Sequence, residues 1–222
     1  MSYTATTFLA KFKAYAIADM KSSGILASLT GAQGFIESNK GNSGLTTKAN
    51  NLFGIKGSYN GQSVTMETTE YVNGVATKVN AAFRKYPSWQ ESVNDHSALF
   101  NRLSRYSNLR GEQDFKQACI NVRKDGYATS PTYTTTLHNT IKTYKLYLWD
   151  YEVVKDYTYD KLDTVKSGSY GGTVYLLQTL LGISADAIAG TKTVQAIKDF
   201  QTKNGLTVDG ICGQKTWKAL KG

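Results

Sequence analysis

The sequence predicts a mainly α protein in two parts: a helical domain carrying one β-hairpin, followed by a small three-helix module. Three observations predict this. Large apolar residues recur at helical spacing through most of the first part. Asn73-Gly74, a strong hairpin signal, precedes a run in which Val75, Thr77, Val79, Ala81 and Phe83 alternate. Near the C-terminus, GISADAIAGTKTVQAI and GLTVDGICGQKTWKAL repeat one pattern at an offset of 23 residues.

The elements follow in order. In MSYTATTFLAKFKAYAIADM, Phe8, Phe12 and Tyr15 share a helical face, while Lys11, Lys13 and Asp19 interrupt any apolar run. This predicts a first core helix and not a secretion signal. A second helix has Ile25, Leu29, Ala32 and Ile36 on its apolar face, with Thr30, Gln33 and Glu37 in a polar stripe beside it. Asn39 and Gly41 end it. The hairpin spans Val64 to Arg84. Ser88-Trp89-Gln90-Glu91 reads as a capping box, opening a helix with Trp89, Val93, His96, Phe100 and Leu103 on one side. Another helix carries Phe115, Cys119 and Val122 and stops at Asp125-Gly126. A last one carries Leu137, Ile141, Tyr144 and Leu148 on one face. The stretch from Val153 to Tyr170 has no clear period and reads as a linker. The expected boundaries are 1–152 for the helical domain, 153–167 for the linker and 168–222 for the module. In the module, Val174, Leu177 and Leu181 mark a helix ahead of the two repeats, in which Asp186 matches Asp209 and Gly190 matches Gly213.

Composition narrows the function. Of 222 residues, 41% are apolar and 19% charged, values of a folded globular chain. The net charge of +9 points to an anionic partner. No basic run reaches five residues, which argues against nucleic acid, and no apolar stretch approaches the ~18 residues of a membrane span. Two cysteines and two histidines, without ligand spacing, predict neither a zinc site nor another cofactor. Cys119 and Cys212 fall in separate parts, so no disulfide is expected.

Glu37 is the residue whose placement asks for a reason. A carboxylate in a last helical turn is opposed by the helix dipole by about 0.3–1 kcal/mol. It reads either as a solvated helix-end residue or as a general acid. A carboxyl between an apolar wall and an open cleft has a raised pKa and holds its proton nearer neutral pH. His96 and Cys119 lie on apolar helix faces and read as core, so no Cys–His nucleophilic site is expected.

The run SLTGAQGFIESNKGNSGLTTKANNLFGIKG, with TTEYVNG, FRKYPSWQESVNDHSALF and GYATSPTY following in order, resembles the glucosaminidase domain of bacterial autolysins, flagellar peptidoglycan hydrolases and phage endolysins. The resemblance covers about the first 150 residues. It departs from the family pattern at Asn39-Lys40, where Gly-Trp is common, and at Ser130, where Asp is common. It implies a lysozyme-like fold and cleavage of peptidoglycan glycan after N-acetylglucosamine, with Glu37 as general acid. The TTEY motif implies Glu70 as second carboxylate, although strand alternation alone leaves Glu67 and Glu70 open. The GYAT motif implies Tyr127 beside the acid, with core packing as the other reading. Gln33, Asn51, Phe53 and Tyr133 are the expected substrate contacts; the alternative is a turn after the Glu37 helix, and for Phe53 a buried plug is the preferred reading.

The C-terminal repeat resembles the small peptidoglycan-binding domain attached to many wall hydrolases, through Leu177-Gln178, Phe200-Gln201, Gly205-Leu206, Val208-Asp209-Gly210, Gly213 and Thr216-Trp217. From Lys166 onward there are seven lysines against three aspartates, which suits an anionic wall polymer. Asp209 and Trp217 are candidate wall contacts or, alternatively, fold determinants. The resemblances imply a monomer whose partners are peptidoglycan and anionic wall polymers. Compactness and the lack of a secretion signal suggest a phage endolysin held in the host cytoplasm until lysis, with a secreted autolysin as the alternative.

Overall fold

The computed structural model describes residues 2–72 and 75–222, without the side chains of residues 70–72 and 75. The Asn73-Gly74 turn expected from sequence lies outside the described residues. The helical domain is organised around one buried helix, α2 (Ala27–Glu37), in which every residue from Ala27 to Gly34 is buried. Its side chains are mostly small, which lets neighbours approach closely. A Cβ on Gly31 would lie 2.5 Å from Trp149 Cζ3, and one on Gly34 would lie 2.8 Å from Phe12 Cζ. α1 (Ala5–Ser23) packs along α2 through Phe8, Phe12, Ala16 and Met20, and α4 (Trp89–Arg102) packs on α1. α5 (Phe115–Lys124), α6 (Tyr133–Thr143) and α7 (Tyr147–Val154) complete the sheath.

The start of α2 is capped from a distance. Its N-cap residue, Leu26, makes no side-chain cap bond. Instead Ser28 N donates at 2.8 Å to Oδ1 of Asp150, which is wholly buried on α7. A carboxylate from another helix thus satisfies an orphan N–H and faces the positive end of the α2 dipole. Burial raises the Asp150 pKa to about 7, against the hydrogen bonds that lower it.

The hairpin pairs β1 (Ser63–Val72) with β2 (Val75–Arg84) in antiparallel register from Ser63 opposite Arg84 to Val72 opposite Val75. Val64, Met66 and Thr68 are half-buried, while Thr65, Glu67 and Thr69 are exposed. The base is anchored to α4. Arg84 Nη1 donates to both oxygens of Asp95 at 2.7 and 2.6 Å, and Tyr86 Oη donates to Oδ2 at 2.6 Å. α3 (Gly44–Ala49) lies beside β1.

Two local expectations are corrected. Ser88 caps α4 by accepting from Gln90 N at 3.1 Å, and it bonds the Glu91 carboxylate through its hydroxyl, so the reciprocal bonds of a capping box do not form. The single helix expected across Leu137 to Leu148 is two helices, because Lys145 adopts a left-handed φ of 53° between α6 and α7. Tyr144 is therefore exposed, and Trp149, Val153 and Val154 supply the buried face beyond the break.

The module consists of α8 (Gly172–Leu180), α9 (Thr191–Lys203) and α10 (Gln214–Lys221). Each repeat is closed by a Gln–Asp–Thr cage. Gln178 Nε2 donates to Asp186 Oδ1 at 2.8 Å and Thr193 Oγ1 at 3.0 Å, and its Oε1 accepts from Asp186 N and Ala187 N. Gln201 does the same with Asp209 at 2.9 Å and Thr216 at 3.2 Å, and with Asp209 N and Gly210 N. The stretch read as a linker from Val153 begins inside α7, and the chain beyond it is tied down at several points. Gln113 accepts from Asp163 N and Thr173 Oγ1 and donates to Lys161 O, and Asp114 accepts from Tyr170 N. A Cβ on Gly172 would stand 2.4 Å from Tyr151 N, so α8 starts in direct contact with α7. Both cysteines are buried and free, and among the described residues no helix is long and apolar enough to cross a membrane.

The raised pKa of Asp150 has a definite sign. Its folded value lies above the ordinary 3.8, so ionisation opposes folding: the stabilisation is complete below about pH 4 and is lost as pH rises through about 7. Asp150→Asn keeps an acceptor for Ser28 N and removes the charge. Its melting temperature is expected to gain on the wild type between pH 4 and pH 8. An equal gap at both pH values, measured by thermal unfolding, would refute the assignment.

Candidate active site

Glu37 is the last residue of α2, where the buried helix reaches the surface. The chain turns sharply after it: Asn39, Lys40 and Gly41 take positive φ of 48°, 58° and 77°. Ser38 is buried beneath the turn, its hydroxyl donating to Gly34 O and accepting from Gly41 N at 2.7 Å. Asn and Gly tolerate the left-handed region, whereas Lys40 does so only under the constraint of this turn.

Three other side chains meet Glu37. Gln33 lies one helical turn earlier, Tyr133 opens α6, and Tyr127 sits in the loop after α5. Tyr133 Oη donates to Glu37 Oε1 at 2.9 Å and accepts from Gln33 Nε2 at 3.1 Å. The hydroxyl has one proton, which goes to the carboxylate, so the Gln33 contact must be a donation by the amide. Gln33 is completely buried and therefore orients Tyr133 without offering a surface to a ligand. Tyr127 stacks on Tyr133 with centroids 6.0 Å apart and planes 23° apart, and its hydroxyl is buried with no hydrogen-bond partner among the described residues.

The electrostatics separate these groups. Glu37 is exposed on one side, while protein packs behind its carboxyl. That burial raises its pKa above the ordinary 4.5, and the Tyr133 bond pulls the other way. Burial, and next the fields of Tyr127 and Glu37, hold the Tyr133 phenol far above its usual value. Tyr127 is likewise raised by burial and then by Glu37. Both tyrosines stay neutral donors at any working pH, leaving Glu37 as the one group of the four that exchanges a proton there.

The structure does not bring every expected residue to this place. Asn51 is buried, donating to Ile55 O and Arg84 O, each at 2.9 Å, and accepting from Ile55 N. With both N–H groups engaged and its oxygen accepting, it ties the loop to the hairpin base. Phe53 is buried and stacks on His96 at 3.9 Å, which settles its two readings in favour of the plug. His96 is wholly buried, its pKa lowered to about 3 by burial, and stays neutral. Burial also holds the Cys119 thiol well above its usual value, so neither residue is a nucleophilic partner. Glu67 is exposed and paired with Lys78. Glu70 occupies the β1 position opposite Thr77, and its side chain lies outside the described residues. In the module, Trp217 is wholly buried with Nε1 donating to Asp163 O at 2.9 Å, so it holds the fold together and does not meet a wall. Asp209 is exposed at its turn. The Arg84–Asp95–Tyr86 anchor escaped sequence reading, although all three residues lie in the FRKYPSWQESVND run.

Because Tyr133 favours the ionised acid, Tyr133→Phe is expected to raise the midpoint of Glu37 ionisation further, and Gln33→Leu to shift it in the same direction by freeing the tyrosine. Carboxyl carbon NMR titration reads both. A fall in the midpoint of the Tyr133→Phe variant would sink the arrangement described.

Comparison with known proteins places this geometry. A family model described as mannosyl-glycoprotein endo-beta-N-acetylglucosaminidase matches residues 13–146, and one described as a peptidoglycan binding domain matches residues 174–220. The exo-glucosaminidase LytG of Bacillus subtilis is 40% identical over 131 residues, covering 57% of this chain and 46% of its own. The peptidoglycan hydrolase FlgJ of Salmonella typhimurium is 34% identical over 144 residues, covering 62% and 46%. The chain thus spans under half the length of these curated relatives. The solved catalytic domain of the autolysin Auto from Listeria monocytogenes superposes with a TM-score of 0.63 at 35% identity, covering 68% of this chain and 91% of that one. Two matched parts, residues 13–146 and 174–220, lead to one conclusion: the chain belongs to the glucosaminidase family and carries a C-terminal domain of the peptidoglycan-binding type.

Proposed function

We propose that the chain hydrolyses the β-1,4 glycan bond of peptidoglycan on the reducing side of N-acetylglucosamine, acting at the bacterial cell wall from within the chain. The observation that carries this is Glu37: a reachable carboxyl with a raised pKa, oriented by a neutral tyrosine. In the proposed reaction the Glu37 proton passes to the glycosidic oxygen as the C1–O bond breaks. The positive charge at C1 is met by the sugar's own acetamido oxygen, or by a water that Glu70 deprotonates. In the acetamide route water then adds its hydroxyl to C1, displacing the acetamido oxygen, and its proton restores Glu37; in the Glu70 route the water's proton goes to Glu70, which passes it to solvent while Glu37 takes up a proton from solvent. A two-carboxylate mechanism would assign Glu70 to the second role, whereas Glu67 is engaged with Lys78. The Tyr133 hydroxyl, held neutral, keeps donating to Glu37 as the acid gives up its proton, and the buried Tyr127 ring stacks behind it. The module and its excess of lysines would hold the enzyme on an insoluble anionic polymer, raising the local concentration of bonds to cut.

Glu37→Gln is expected to reduce clearing of cell-wall suspensions by at least ~100-fold, the usual contribution of a general acid. An unchanged rate would remove Glu37 from the reaction, and a wild type that clears no wall would leave only a wall adhesin. Mass spectrometry of the digest should show reducing N-acetylglucosamine ends. Anhydromuramyl ends would convict a lytic transglycosylase, and reducing muramic acid ends a muramidase. Attack within the chain shortens glycans early in the digestion; steady release of single end sugars would make the enzyme an exo-acting one. A Glu70→Gln variant that keeps most of its activity would assign the second role to the acetamide.

A further inference from the structure

The module contains two open grooves related by its internal repeat. One, of about 600 Å³, lies between the first Asp turn and α9; the other, of about 330 Å³, lies between the second Asp turn and α10. Both fall in the size range of small-ligand sites. Their linings correspond at the 23-residue offset: Asp186 with Asp209, Ile188 with Ile211, Lys192 with Lys215, and Ser184 with Thr207.

The fold explains only part of that correspondence. The cages use Gln178 and Gln201, Oδ1 of each aspartate, and Thr193 and Thr216. They do not use the lysines. Lys192 and Lys215 are exposed and make no hydrogen bond or ion pair among the described residues. Nor do they need the isoleucine side chains, and Ile211 is 38% exposed. The same surface chemistry therefore stands twice at equivalent places with no internal task. Each groove offers a cation, a carboxylate with one oxygen outside the cage, a hydroxyl and an aliphatic wall. Neither is lined by an aromatic ring on which a sugar would pack, and the aspartates oppose a uniform polyanion.

We propose that the two grooves are equivalent binding sites, each taking one short peptide that carries a carboxylate, a free amine and a small aliphatic side chain, as the stem peptides of the wall do. The lysine takes the carboxylate, the aspartate the amine, and the isoleucine the aliphatic group. The module then grips two stems at once. This rests on the wall-binding reading of the module and deepens it. Two weak sites on one rigid body give an avidity well above either alone, on the order of 10²-fold or more.

The test uses the full chain carrying Glu37→Gln, so that the wall is not cut. Calorimetric titration with N-acetylated L-Ala-γ-D-Glu-L-Lys-D-Ala is expected to give two sites per chain, one in Lys192→Glu, one in Lys215→Glu and none in the double variant. Retention on purified wall sacculi is expected to fall at least ~100-fold in the double variant. Lys203→Glu with Lys166→Glu, both exposed and outside both grooves, carries the double variant's charge change and is expected to alter neither readout. A single site, no binding of the peptide, or undiminished retention of the double variant overturns the proposal. Equal retention on sacculi stripped of their peptides shows that the glycan occupies the grooves and overturns the occupant. A chain that fails to bind sacculi at all overturns the wall-tether reading itself.

Discussion

The structure depends on a helix thin enough to be surrounded. From Ala27 to Gly34, α2 has no exposed residue, and Gly31 and Gly34 let Trp149 and Phe12 press against its backbone. Glycine in a helix interior costs about 1 kcal/mol relative to alanine. Here two aromatic rings fill the space that longer side chains would take, and each buries a large apolar area. A helix held on all sides is stiff, and the residue at its exit is held by that stiffness. Glu37 is positioned by the packing behind it as much as by anything near its carboxyl.

What the exit residue can do is set by two opposed influences. Burial favours the protonated acid, while the Tyr133 hydroxyl favours the carboxylate. An acid under desolvation alone would hold its proton firmly and release it reluctantly. A donor at 2.9 Å lowers the cost of the charged state. Gln33 keeps that donor aimed, and the Tyr127 ring keeps the Tyr133 ring in plane. The hydroxyl thus receives its orientation from two residues that carry no charge.

The parts legible in the sequence were those written locally. The hairpin strands, the repeat, and a carboxylate after Phe35-Ile36 at a helix end were all visible as spacing. The break at Lys145 was not, because lysine carries no signal for a left-handed turn and the apolar period runs on across it. Nor was the cap on α2, whose acceptor lies 122 residues away. Asn51 and Phe53 show a different limit. An amide and an aromatic ring following the Glu37 helix suit a sugar site equally well on paper, and only their burial and partners assign them to the hairpin base and the core. Gln33 and Tyr133 could be named as site residues, but the order in which they hand hydrogen bonds to Glu37 belongs to tertiary structure.

The seating of the module on α7 has a mechanical consequence. With Gly172 in backbone contact with Tyr151, and Gln113 and Asp114 stitched to the chain entering α8, the anchor and the blade form one stiff tool. A swinging tether lets an enzyme graze every bond within reach of one foothold. On the proposed function, a fixed one would present its cutting edge to a single spot per landing, so travel across a wall would require letting go. The grip of such an enzyme would govern its pace: holding harder would secure the address and slow the walk.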